Sequence, residues 1–123
     1  MKQIILDTNS LMAIDEFKLD LFSEIEKSYN FQYKLCTLSS VIEELEKIII
    51  EQRGKYKLAA KLALKLLKSK NVFVIKTEGY ADDSLAEYSK NGYLVLTQDV
   101  ALKKRLTKPY LTIRQKKKVV LIN

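Results

Sequence analysis

Histidine is absent from this 123-residue sequence. Its absence excludes Ser-His-Asp and Cys-His nucleophile systems, histidine acid–base catalysis and the usual zinc sites. Any chemistry must rest on carboxylates, hydroxyls, amines, or a hard cation held by oxygens. The single cysteine, Cys36, stands in an apolar-leaning run (Leu35-Cys36-Thr37-Leu38) and leaves no internal disulfide, which suits a reducing compartment. Three glycines and one proline argue against long flexible linkers. No apolar run approaches the roughly 20 residues needed to cross a bilayer. The apolar stretch that follows Met1-Lys2-Gln3 meets Asp7 too soon for a secretory signal. A cytoplasmic protein with no membrane association is expected. At 47% hydrophobic and 30% charged residues, the composition suits one compact domain spanning residues 1–123.

Acids are also missing from one place. Asp99 is the last, and the 24 residues after it carry eight bases: Lys103, Lys104, Arg105, Lys108, Arg114, Lys116, Lys117 and Lys118. The first 99 residues hold 14 bases against 15 acids, so the whole net charge of +7 arises in the basic C-terminal segment 103–118. Such asymmetry points to a polyanionic partner, nucleic acid first, or to a solubilising surface.

Along the chain, short β-rich runs alternate with helical patterns. Strands are expected over Gln3–Leu6, Tyr33–Leu38, Val72–Ile75 and Tyr93–Thr97, with β-prone runs at Tyr110–Ile113 and Val119–Ile122. Asp7-Thr8-Asn9-Ser10 offers N-caps for a first helix, and a second is expected over Leu19–Ser28. The third runs from Ser39-Ser40 to Gln52, with capping-box spacing between Ser40 and Glu43. The fourth, about Lys55–Lys68, sets Leu58, Leu62 and Leu66 on one face and Lys57, Lys61, Lys65 and Lys68 on another. A fifth is expected over Ala81–Lys90, ended by Asn91-Gly92, and a short sixth opens at Gln98-Asp99. This alternation predicts an α/β domain with a mostly parallel sheet.

Four carboxylates fall where strands end or the next helix begins: Asp7, Glu44, Asp82 and Asp99. In a parallel α/β sheet these places share one edge, where ligand sites form. Helical geometry separates Glu44, at the border of the Val41/Leu45/Ile48 stripe, from Glu43, which points to solvent. Asp82 lies about 60° from the inward Leu85 and Asp83 about 160°, which makes Asp82 the site candidate and Asp83 a dipole partner or supporting group. Capping explains each acid alone. It does not explain why Glu44 and Asp82 fall on inward borders. Carboxylates gathered at one place repel unless a cation sits among them, so the pattern asks for a hard divalent metal.

In four segments the chain resembles the PIN domain, a family of metal-dependent ribonucleases: Ile5-Leu6-Asp7-Thr8-Asn9, Val41-Ile42-Glu43-Glu44-Leu45, Ala81-Asp82-Asp83-Ser84-Leu85-Ala86 and Val95-Leu96-Thr97-Gln98-Asp99. Their order and spacing fit over nearly the whole chain. The tail Arg114-Gln115-Lys116-Lys117-Lys118 is similar to that of archaeal stand-alone PIN proteins related to ribosomal-RNA-processing nucleases, and single-domain VapC-type toxins are the other close group. The resemblance implies a three-layer α/β/α fold and an Mg²⁺ or Mn²⁺ site formed by Asp7, Glu44, Asp82 and Asp99. Thr97, Asn9 and Asp83 would support that site. It also implies a homodimer and, for a toxin, an antitoxin partner.

These readings combine into one expectation. Carboxylate-held metal would activate water for RNA hydrolysis, and Arg105, Arg114, Lys116 and Lys117 would hold phosphates beside it. The competing expectation is a module on the same fold that binds RNA or protein and cuts nothing. A phospho-aspartate receiver would want paired acids after the first strand, and a haloacid-dehalogenase-like phosphatase an acid at position 9, where Asn9 stands.

Overall fold

The structure, a computed structural model, describes all 123 residues. Its elements are β1 (Lys2–Leu6), α1 (Thr8–Glu16), α2 (Leu21–Ser28), β2 (Tyr33–Leu38), α3 (Ser39–Glu51), α4 (Lys55–Ser69), β3 (Phe73–Ile75), α5 (Ala81–Lys90), β4 (Leu94–Leu96), α6 (Val100–Lys103), β5 (Tyr110–Arg114) and β6 (Lys118–Ile122). One six-stranded sheet runs in the order β3-β2-β1-β4-β5-β6. Its first five strands are parallel, and β6 returns antiparallel to β5. The expected α/β class with a mostly parallel sheet is what forms.

Strand order dictates where a site can lie. From β1 the chain steps outward through β2 to β3, then crosses back to β4 on the other side of β1. Right-handed crossovers therefore place α5 on the sheet face opposite the helices of the first half. A crevice opens between the carboxyl ends of β1 and β4, where the winding reverses. These two strands are buried on both faces, and their cores (Ile4-Ile5-Leu6 and Leu94-Val95-Leu96) are unbroken apolar runs, as a central parallel strand requires.

Several expected features differ in detail. The second helix starts at Leu21 because Asp20 caps it, accepting from the Ser23 N–H at 3.2 Å; Leu19 is buried in the preceding turn. The third and fourth strands are shorter, without Val72, Tyr93 and Thr97, and the sixth helix, α6, starts at Val100 with Asp99 as its cap. The Ser40–Glu43 capping box does not form: Leu38 is the N-cap of α3, with no side-chain cap. The serines serve a tertiary role instead. The Thr77 N–H donates to Ser39 Oγ at 2.8 Å, and the hydroxyls of Ser40 and Thr77 are 3.0 Å apart. This ties the start of α3 to the segment leading into α5.

In α4 the buried face is rotated from the leucine stripe. Ala59, Ala60, Ala63 and Leu67 are inward, Leu62 and Leu66 are half-buried, and Leu58 is 62% exposed. The cause is packing on two sides, since α4 lies against both α1 and α3, and close helix approach favours small side chains. Lys61, Lys65 and Lys68 are exposed, and Lys57 is partly covered. No helix is long and apolar enough to cross a membrane.

The basic segment 114–118 is the tip of the β5–β6 hairpin. Gln115 and Lys116 both adopt φ +57°, the left-handed pair that matches the twist of a hairpin. Within the hairpin, the Thr112 hydroxyl is buried with no hydrogen-bond partner. Thr112→Val keeps the shape and removes that unsatisfied group. It should stabilise the fold by about 1 kcal/mol, read as a thermal midpoint a few degrees higher; an unchanged or lower midpoint would mean the hydroxyl is satisfied.

Candidate metal centre

Asp7 occupies the first position beyond β1 and is only 4% exposed. It is the N-cap of α1. Its Oδ1 accepts from the Ser10 N–H at 2.7 Å, and the Ser10 hydroxyl in turn donates to the carbonyls of Asp7 and Leu96. Ser10 thus locks the ends of β1 and β4 together beneath the carboxylate. Burial pushes the Asp7 carboxyl up to about 6. The Thr97 hydroxyl and the Ser10 groups pull the other way, and the nearby Asp82 charge adds a smaller upward push.

Asp99 follows β4 and caps α6, its Oδ1 accepting from the N–H groups of Ala101 (2.9 Å) and Leu102 (3.2 Å). Thr97 is fully buried and accepts the Asp99 N–H at 3.0 Å, so it orients the turn that carries Asp99 as well as easing ionisation of Asp7. Glu44 projects from the second turn of α3, and its Oε2 accepts from the Thr8 hydroxyl at 2.7 Å. Asp82, in the first turn of α5, comes from the other side of the sheet.

These four acids, with Asn9 and Asp83, line one open cleft of about 530 Å³. The helical geometry that selected Glu44 agrees with this, since Glu43 does not line the cleft. Of the five acids at the cleft, only Asp83 has a cationic partner: Arg105 donates to its Oδ1 at 2.7 Å. Arg105 therefore forms part of the cleft wall, and Asp83 holds it there. Arg114, Lys116 and Lys117 do not line the cleft; they sit on the hairpin tip, with Lys116 Nζ 5.4 Å from the Phe17 ring centroid. Because β5 is parallel to β4, that tip rises from the same sheet edge as Asp99.

Three further residues contribute, of which the sequence singles out only Tyr80, read there as a packing ring before a base-stacking one. Thr8 anchors Glu44, Ser10 anchors Asp7, and Tyr80 forms part of the cleft wall while 82% exposed. The first two were readable in principle: Ser10 stands three residues after an N-cap, and Thr8 adjoins Asp7.

The donor set consists of carboxylate oxygens with no nitrogen or sulfur ligand, which suits Mg²⁺ or Mn²⁺. No three acidic side chains are drawn together as a finished cage. The anchoring nevertheless leaves donors available: Oδ2 of Asp99 and Oε1 of Glu44 have no hydrogen bond within the protein. A buried carboxylate facing further unpaired carboxylates is the arrangement that a cation relieves. The residues fit such an ion.

A family model described as a PIN-like domain matches residues 4–116. The chain is 36% identical to ribonuclease VapC4 of Methanocaldococcus jannaschii over 124 residues, covering 95% of this chain and 94% of that protein. It is 39% identical to ribonuclease VapC9 of Archaeoglobus fulgidus over 102 residues, covering 82% and 73% respectively. Among solved structures, the PIN domain endonuclease Utp24 superposes with a TM-score of 0.78 at 26% identity, covering 97% of this chain and 90% of that one. By family match, relatives and fold together, this chain belongs to the PIN-like domain family.

Proposed function

We propose that the protein is an Mg²⁺- or Mn²⁺-dependent endoribonuclease. The observation that carries the reading is the set of four carboxylates without a cationic partner, brought from both sides of the sheet into one cleft at the β1/β4 switch point. Two relatives named ribonucleases and an endonuclease of the same fold support it.

A bound divalent ion would supply a water of lowered pKa and neutralise charge on the attacked phosphate. The rest is the work of this chain. Asp7, Glu44, Asp82 and Asp99 hold the ion, and the N–H donors of Ser10, Ala101 and Leu102 and the Thr8 hydroxyl fix the direction of three of these carboxylates. Thr97 keeps Asp7 and Asp99 in register, and Asn9 lends an amide at the cleft wall. Arg105 is poised to leave Asp83 for a phosphate, since an ion pair this exposed is worth little. Arg114, Lys116 and Lys117 would grip the RNA backbone further along. The lysines of α4 serve as a solvated face.

The VapC name of the two relatives falls in the toxin group of the family resemblance, with its antitoxin partner, and the basic tail falls in the group related to ribosomal-RNA-processing nucleases. Both uses need the same hydrolysis. The homodimer implied by the family resemblance belongs to this proposal as well.

Two outcomes test the reading. RNA cleavage with Mn²⁺ should vanish in EDTA. It should fall by more than about 100-fold in Asp82→Asn or Asp99→Asn, beyond the 10–100-fold typical of residues that only support a ligand. Glu43→Gln should cleave normally. Full activity in either Asp variant, or in chelator, would sink the assignment.

The second outcome concerns stability in chelator. The Asp7 carboxyl stands near 6 in the folded protein against 3.8 unfolded. Between these values the folded state binds more protons, so its contribution is fully present below about pH 4 and is lost as pH rises through 6. Asp7→Asn keeps a good N-cap and removes this loss, so at pH 7.5 it should stabilise the metal-free protein by about 2–3 kcal/mol. The gain should disappear near pH 4. Mn²⁺ should raise the melting temperature of the wild type and not of the variant. A destabilised Asp7→Asn at neutral pH would contradict the buried-charge account.

A further inference from the structure

Seven tyrosines are present, and the structure divides them sharply. Tyr88 and Tyr93 pack edge-on with ring centroids 4.8 Å apart, Tyr29 is buried among core residues, and Tyr33 and Tyr110 are half-covered. Only Tyr56 and Tyr80 are exposed, at 53% and 82%. Both line cavities on the acidic edge of the sheet. Tyr80 walls the cleft of the carboxylates. Tyr56 walls an adjoining groove of about 590 Å³ that runs between α1 and α4 past Met12 and Ala59. Cleft and groove share Thr8, Asn9 and Glu44, so the two cavities meet at the Thr8–Glu44 hydrogen bond, with one exposed ring in the wall of each.

Neither ring is explained by folding. Tyr80 stands at the N-cap of α5, a position that favours Ser, Thr, Asp or Asn, and makes no capping bond. Tyr56 sits in the first turn of α4 behind Gly54, on a helix with no side-chain cap. Lys55 Nζ lies over one face of the Tyr56 ring, 5.4 Å from its centroid, so a base takes the other face or displaces this exposed cation. The exposed Phe73, by contrast, lines neither cavity.

We infer that Tyr56 and Tyr80 are stacking platforms for two unpaired bases on either side of the phosphate brought to the acidic cleft, and so set how the strand lies in it. The inference rests on the nuclease reading and deepens it. A ring stacks only on a base whose face is free. In a duplex both faces are covered by neighbouring bases, so a site with a platform on each flank selects strands that can splay. Gln98 and Asn9, the amides of the groove, lie where they can read the edge of the base on Tyr56.

The test uses the full-length protein with Mn²⁺, a short fluorescent single-stranded RNA and the same RNA annealed to its complement. Tyr56→Ala and Tyr80→Ala should each raise KM at least about fivefold, as loss of one stacked base implies, with kcat within about threefold of wild type. Melting temperatures should not change, and Tyr→Phe at either position should restore KM. An abasic nucleotide next to the cut should weaken the wild type but add nothing to the matching alanine variant. The duplex should be a poor substrate. A wild type that cleaves RNA while both alanine variants retain its KM, or that cuts duplex equally well, overturns this inference and leaves the nuclease reading standing. A wild type that cleaves no RNA overturns both.

Discussion

The structure turns on one carboxylate held out of water at the end of its central strand. Asp7 is covered by the ends of β1 and β4 and by the first turn of α1, and its ionised form is disfavoured by that burial. A fold concerned only with stability would place an apolar residue or an uncharged cap there. The cost is tolerable because the site answers it with the Ser10 N–H and two hydroxyls. On the proposed function, a divalent ion completes the answer.

Other parts of the molecule direct acids toward that point. Thr97, with no exposed surface, reaches the two carboxylates that follow the two central strands. The Ser39–Thr77–Ser40 cluster fastens the start of α3, and hence Glu44, to the segment that delivers Tyr80 and Asp82. Ser89 does the same lower on α5: it accepts the Thr107 N–H at 2.8 Å and returns a bond to the Thr107 carbonyl, clamping the segment that follows Arg105. Tertiary polar bonds of this kind are not periodic. They leave no mark in the sequence beyond a serine or threonine that local capping could equally use, which is why the serines of α3 read as a capping box.

The legible part was the part governed by period and position. β1, β4 and the helix borders followed from unbroken apolar runs and from 100° geometry, which also separated Glu44 from Glu43. The α4 face was misread because leucine was weighted over alanine, and alanine wins where one helix is pressed between two. The tyrosines carried no signal of their own. Their division into packed and exposed depends on which elements meet over them, and no local pattern encodes that.

The distribution of charge follows from topology. β1 and β4 must end in acids if a cation is to sit at the switch point, and everything after Asp99 forms the next stretch of the same edge. Further acids there would deepen the repulsion of a polyanion already opposed by the four in the cleft. Bases reverse it. Arg105 stands in the cleft wall, tied to Asp83 by an exposed bond of small net value that a phosphate can displace. Arg114, Lys116 and Lys117 rise on a hairpin whose two left-handed residues, neither of them glycine, hold the turn at a cost of about 1 kcal/mol each. A chain that only needed to join two strands would use Asn-Gly at that turn. Of the two left-handed residues, Lys116 carries charge, and on the proposed function its reach toward the RNA backbone is a reason to accept the strain at that position.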